Sequence, residues 1–153
     1  MPTSFSGCTA LATVELGKLI AASITANAFS EAGIQTLKYN DIAAVQTTPF
    51  AALTTIKEVH FQKYIAVNAA IPAASFAVDT QTLLTKIYYN ASTVALPSNG
   101  TYVQPFAIAA FCSSNDDTKR TAELYCLDKF FTAATGFNGN AKVLNGIIIA
   151  ASA

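Results

Sequence analysis

Charge is what this chain has least of. Only 12 % of its 153 residues are Asp, Glu, Lys or Arg, about half of the roughly 25 % usual in soluble domains. Nine acidic residues balance nine basic ones, so the formal net charge is zero. Arg120 is the only arginine and the lysines are scattered. No basic stripe exists to displace counterions from phosphates, so direct nucleic-acid binding is not expected.

Histidine is almost missing and tryptophan is absent. His60 is the only histidine, so any Ser-His-Asp or Cys-His constellation would have to run through it. A zinc site wants three or four ligands, which one histidine and three dispersed cysteines do not offer. The glycines are isolated, so neither a dinucleotide fingerprint nor a phosphate-cradling loop can be written. Neither a catalytic, a cofactor-binding nor a metal-binding set is legible, and an enzyme is not expected.

Long hydrophobic runs are also missing. The longest apolar stretch, Leu11 to Phe29, is interrupted by Glu15, Gly17, Lys18, Ser23, Thr25 and Asn27, short of the ~18 apolar residues that a span requires. A membrane partner is not expected. The start, Met1-Pro-Thr-Ser-Phe-Ser-Gly-Cys8, lacks the charged and apolar regions of a signal peptide. The expectation is a protein made in the cytoplasm without one.

What fills the chain instead is small and smooth. Hydrophobic residues reach 52 %, but 29 of them are Ala, accompanied by 18 Thr and 9 Asn. A monomer ordinarily keeps itself soluble with a charged surface and a net charge away from zero. Interface cores are depleted in charge, so a subunit that spends most of its surface in contacts would have this composition.

Along the chain, Pro2, Gly7 and the Ser/Thr content make residues 1–9 an extended arm, flexible or strapped to a neighbour. Residues 10–153 form a single β-rich assembly domain. Leu16, Leu19, Ile20 and Ile24 have helical spacing, which predicts an N-terminal helix over 10–29. The Thr13-Val-Glu-Leu16 start reads equally as a strand. Ser30-Glu-Ala-Gly33 looks like a stop, Ile34–Tyr39 a short strand or turn, and Asn40-Asp41 a break. Val59 and Phe61 alternate with Glu58, His60 and Gln62, the pattern of a half-buried strand. Ser75–Thr80 and Thr82–Tyr89 add two strand-like runs, and Ser98-Asn-Gly100 is a turn signal.

The most informative stretch is Tyr102–Phe131. An apolar run to Cys112, a polar knot over 113–120 and a second apolar run read as a hairpin with a long loop. Cys112 and Cys126 flank that loop; a bridge between them suits an oxidising setting and a core role suits a reducing one. The Ile147-Ile-Ile149 run reads as a closing strand, buried on both faces or pressed against a partner. Short strands between turn signals predict a mainly β fold, a single-domain sandwich or barrel. No period of 20–50 residues recurs, so a solenoid is not expected.

Three further features have bland readings. His60 shares a polar strand face with Glu58 and Gln62, between Lys57 and Lys63. Asp116-Asp117 lacks the alternating oxygens and closing Glu of a calcium loop and reads as a solvated turn. Asn90-Ala-Ser and Asn99-Gly-Thr match the glycosylation acceptor but mark only exposed turns.

The functional expectation is a structural subunit of a self-assembling particle, foremost a virion protein: capsid, capsid-decoration (cement) or tail-tube subunit. Its partners would be further copies in a symmetric homo-oligomer, or a major capsid or other virion protein. The alternatives are an extracellular, pilus-like filament subunit and a small β-rich glycan- or ligand-binding module. The module would place its site on tyrosine-rich loops around Tyr88-Tyr89 and Tyr102.

Overall fold

The structure, a computed structural model, describes residues 5–19, 24, 28–46, 53–67, 69–72, 75–76, 83–90, 123–126, 131–132, 136–137 and 148–150. Among them the regular elements are all strands, so the described chain is mainly β. They are β1 (Thr13–Leu19), β2 (Thr36–Ile42), β3 (Glu58–Phe61), β4 (Lys86–Tyr89), β5 (Glu123–Cys126), β6 (Phe131–Thr132), β7 (Gly136–Phe137) and β8 (Ile148–Ala150). Six of them form one sheet in the order β1-β2-β3-β4-β5-β8, and β6 pairs antiparallel with β7.

Every pairing in the large sheet is parallel; from β1 to β5 each strand lies beside the next one in the chain, and β8 lies beside β5. Parallel neighbours need a long crossover between them, usually a helix. Here the described connecting chain is turns and extended segments, hydrogen-bonded to the preceding coil. Phe5 and Gly7 donate backbone N–H groups to the carbonyls of Ala28 and Ser30, Gln46 donates to Ala70, and Gln35 donates to Ala12. Side chains link the same levels: Ser6 with Ser30, Asn40 with Glu15 and Asn90 with Gln62, at separations of 24, 25 and 28 residues. The described chain winds in coils stacked one strand spacing apart.

The register aligns side chains into columns. Val14, Leu37, Val59 and Ile87 stand in one column, and Leu16, Tyr39, Phe61 and Tyr89 in the next inward one. Leu37, Val59 and Ile87 are fully buried, and Tyr39 stacks on Phe61 with centroids 5.1 Å apart. Three residues before the Val14 column, Leu11, Ile34, Ile56 and Leu84 hold equivalent positions just ahead of the paired strands, and the last three are buried. Removing each such Leu, Ile or Phe from water contributes about 1.5–3 kcal/mol, so the columns hold the described stack together.

Three expectations are corrected, and at Thr13–Leu19 the strand is the one of the two readings that is found: Val14 and Leu16 point inward at a period of two against Leu37 and Tyr39. Asn40-Asp41 does not break the chain, because β2 runs through it to Ile42. The second arm of the expected hairpin, Glu123–Cys126, has β4 on one side and β8 on the other, both parallel; neither edge is left for an antiparallel partner. Finally, the backbone does return on itself at a period of 20–50 residues. The repeat is one of burial, not of identity, and paired strands are offset by 22 residues (Thr36 to Glu58) to 37 (Lys86 to Glu123), so no fixed period is printed in the sequence.

Tyr102–Cys112, the loop at 113–120 and the Cys112–Cys126 pair lie outside the described side chains. Within the arm, residues 5–9 lie against 28–33: Phe5 stacks on Phe29 at 5.3 Å and Gly33 N–H donates to the Cys8 carbonyl.

Candidate functional site

Two features stand out: the outward face of the sheet and a groove at one corner of the coils. On the outward face, pairing puts Lys38, His60, Tyr88 and Tyr125 in one column, with Glu58 and Lys86 beside it. His60 stacks on Tyr88 with centroids 4.4 Å apart and planes 16° apart, and Tyr88 stacks on Tyr125 at 5.0 Å and 17°. In-register parallel strands repeat every ~4.8 Å, so flat rings in one column meet face to face. Because the ring faces cover one another, the column turns its polar edges outward.

His60 Nε2 lies 3.4 Å from Glu58 Oε2, and Lys86 Nζ reaches Glu58 Oε1 at 4.0 Å. Glu58 is thus shared between a ring nitrogen and an ammonium on neighbouring coils. Next to it, Asn90 donates to Gln62 at 3.2 Å, Asn40 donates to Glu15 at 2.8 Å, and Lys63 lies 3.7 Å from Asp41. Half-exposed pairs of this kind contribute roughly 0.2–1 kcal/mol each. They fix which side chains lie together more than they hold the coils.

The groove has a volume of about 460 Å³ and opens where three coils meet: Thr9 from the first, Glu31 to Gln35 from the second and Leu53 to Thr55 from the third. Two contacts set its floor. Gly33 passes so close to the Thr9 carbonyl that a Cβ there would collide with it. Thr55 Oγ1 donates to the Ile34 carbonyl at 2.7 Å. Leu53 is buried beneath, and Glu31 stands exposed at the rim with a left-handed backbone, φ 60°. L residues other than Asn and Asp seldom adopt that conformation.

The structure brings His60 and Glu58 together on the polar strand face. Tyr88 and Tyr89 are not on a loop: they form the end of β4, with Tyr88 outward and Tyr89 1 % exposed. Asn90 follows that strand and its amide donates to Gln62. Tyr102, Asn99 and Asp116-Asp117 lie outside the described residues. Among the described residues, no three His, Cys, Asp or Glu side chains are grouped to hold a metal, and no helix is long and apolar enough to cross a membrane. The groove residues were not legible in advance. Glu31-Ala-Gly33 carries only a stop signal, and Thr9 and Thr54 are two of many threonines.

Comparison with protein-family models, with curated proteins and with solved structures finds no match to this chain.

Proposed function

We propose that this chain is a structural subunit of a self-assembling particle, a virion protein of the capsid, capsid-decoration or tail-tube kind. In place of a closed sandwich or barrel, we propose a stack of β-coils that joins copies through its ends. One observation carries this reading: among the described residues the first coil is an end of the sheet with no capping strand on its outer side. Val14 is 9 % exposed while Leu37, Val59 and Ile87 in its column are at 0 %. Leu16 is only partly buried above Tyr39, and Leu11 only partly buried above Ile34. Phe5 is 48 % exposed above Phe29 at 4 %.

Coil stacks bury each repeat against its neighbours, and a free end needs a polar cap to stay soluble. The inward column of this end is apolar, while Glu15 and Lys18 stand exposed on its other side, and among the described residues β1 pairs on one edge only. Edges of that kind are ordinarily blunted by charge, proline or a covering segment. With charge so scarce along the chain, burial against another subunit is the physical alternative. The virion, among assemblies, is chosen on composition, an analogy and not a site.

The test is the mass of the purified protein by light scattering, with negative-stain images of the same sample. Rings, tubes, shells or defined oligomers support the reading, and long thin fibres favour the extracellular filament. A 16 kDa monomer at all concentrations overturns self-assembly. That result favours the small ligand-binding module, whose support is the groove at Glu31.

A further inference from the structure

The described carboxylates are not treated alike. Glu15 accepts from Asn40, Asp41 meets Lys63, and Glu58 meets His60 and Lys86. Glu31 meets no described partner, although it lines a recess of about 460 Å³. Among the described residues that line the recess there is no lysine or arginine to neutralise it. Besides Thr55, whose hydroxyl is already donated to the Ile34 carbonyl, its described polar side chains are the hydroxyls of Thr9 and Thr54 and the amide of Gln35, which both donate and accept. Leu53 supplies an apolar floor.

We propose that this groove binds a small hydroxylated amine of the amino-sugar class. The ammonium is held by the Glu31 carboxylate, the hydroxyls by Thr9, Gln35 and Thr54, and the carbon face of the ring lies on Leu53. The volume, about 460 Å³, falls in the range of small-molecule sites, roughly 300–1,000 Å³. The chemistry follows from the lining. A lone carboxylate in a cation-free recess selects a cation, because a charge-assisted hydrogen bond is stronger than a neutral one. Three neutral donor–acceptor side chains around it select a ligand with several hydroxyls. The floor is rigid where it matters: Gly33 is pressed on Thr9, and Thr55 is tied to Ile34. The recess is therefore formed before the ligand arrives. This inference does not rest on assembly, since a monomer and a subunit would present the same groove.

The experiment is an NMR titration of the isotope-labelled protein with glucosamine, N-acetylglucosamine and glucose, at a pH low enough for the sugar amine to carry its proton. Glucosamine is expected to shift the Gly33, Gln35 and Thr54 amides saturably. The two neutral sugars are expected to bind at least about tenfold more weakly, the scale of one lost charge-assisted hydrogen bond. Glu31→Gln keeps the shape and is expected to lose the same factor for glucosamine while leaving the rest of the spectrum in place. Three sugars shifting these amides equally, no saturable shift with glucosamine, or undiminished binding to Glu31→Gln would each overturn the proposal.

Discussion

The backbone N–H of Ile65 donates to the hydroxyl of Tyr89 at 3.0 Å, across a separation of 24 residues and inside the core. Ile65 is 2 % exposed and Tyr89 1 %, so neither group has water to turn to. The ring of Tyr89 continues the column begun by Leu16, Tyr39 and Phe61, while its hydroxyl satisfies the backbone of the coil before it.

Tyr89→Phe keeps the ring and removes the hydroxyl, and with it the acceptor for Ile65. The Ile65 N–H is then buried without a partner, which costs about 1–3 kcal/mol. The expected result is a fall of that size in unfolding free energy by urea titration, with the m-value unchanged. Stability equal to wild type would mean that a water or another acceptor reaches Ile65.

How far this arrangement can be read from the chain depends on distance along it. Val59 and Phe61 announce β3 because inward and outward residues alternate within five positions. Asn40-Asp41 misleads for the opposite reason. Both residue types favour turns, but Asn40 finds Glu15 and Asp41 finds Lys63 on the neighbouring coils, partners no local window contains. The column Val14, Leu37, Val59, Ile87 keeps its burial and changes its residue, so self-comparison finds no repeat. The helical spacing of Leu16, Leu19, Ile20 and Ile24 was real but outvoted, since Val14 and Leu16 gain Leu37 and Tyr39 by lying in a strand. The groove is less legible still, because it exists only where coils meet.

Two glycines separate close approach from mere presence. A Cβ on Gly33 would collide with the Thr9 carbonyl, whereas one on Gly17 would meet nothing within 4 Å. Gly33→Ala must move backbone against backbone, and is expected to cost about 3 kcal/mol or more, or to abolish soluble protein. Gly17→Ala is expected to lie within about 0.5 kcal/mol of wild type or to stabilise, since it restricts the unfolded chain. Thermal melts of the two variants side by side check both; equal melting temperatures would refute the close contact.

Tyr39 carries a pH dependence. Burial raises its phenol well above the ordinary value, which is about 10 for an exposed tyrosine. Below about pH 10 the phenol keeps its proton in both states and exerts no pull. Above it the unfolded chain releases the proton while the folded chain holds it, so stability falls as pH rises. Tyr39→Phe removes that term. The stability difference between wild type and Tyr39→Phe is therefore expected to shift steadily in the variant's favour from about pH 10 upward, measured by urea titration at successive pH values. A difference that stays flat through that range would place Tyr39 in contact with solvent.

The end of the stack and its middle should respond oppositely to the same insult. Leu16 and Phe61 occupy one inward column, but Leu16 is partly buried at the open end and Phe61 is 1 % exposed. A lysine at Phe61 puts an ammonium among Tyr39, Val59 and Tyr89 without a partner, which the core cannot accommodate cheaply. Phe61→Lys is expected to be unfolded or insoluble. At Leu16 the lysine stem can lie along the column while its head reaches solvent, so Leu16→Lys is expected to keep the wild-type circular dichroism spectrum. Yet it places a charge in the face proposed to join copies, where desolvating it would cost several kcal/mol. Light scattering should then give a monomer mass for Leu16→Lys under conditions where the wild type assembles. If Leu16→Lys assembles as the wild type does, this end of the stack is not the interface.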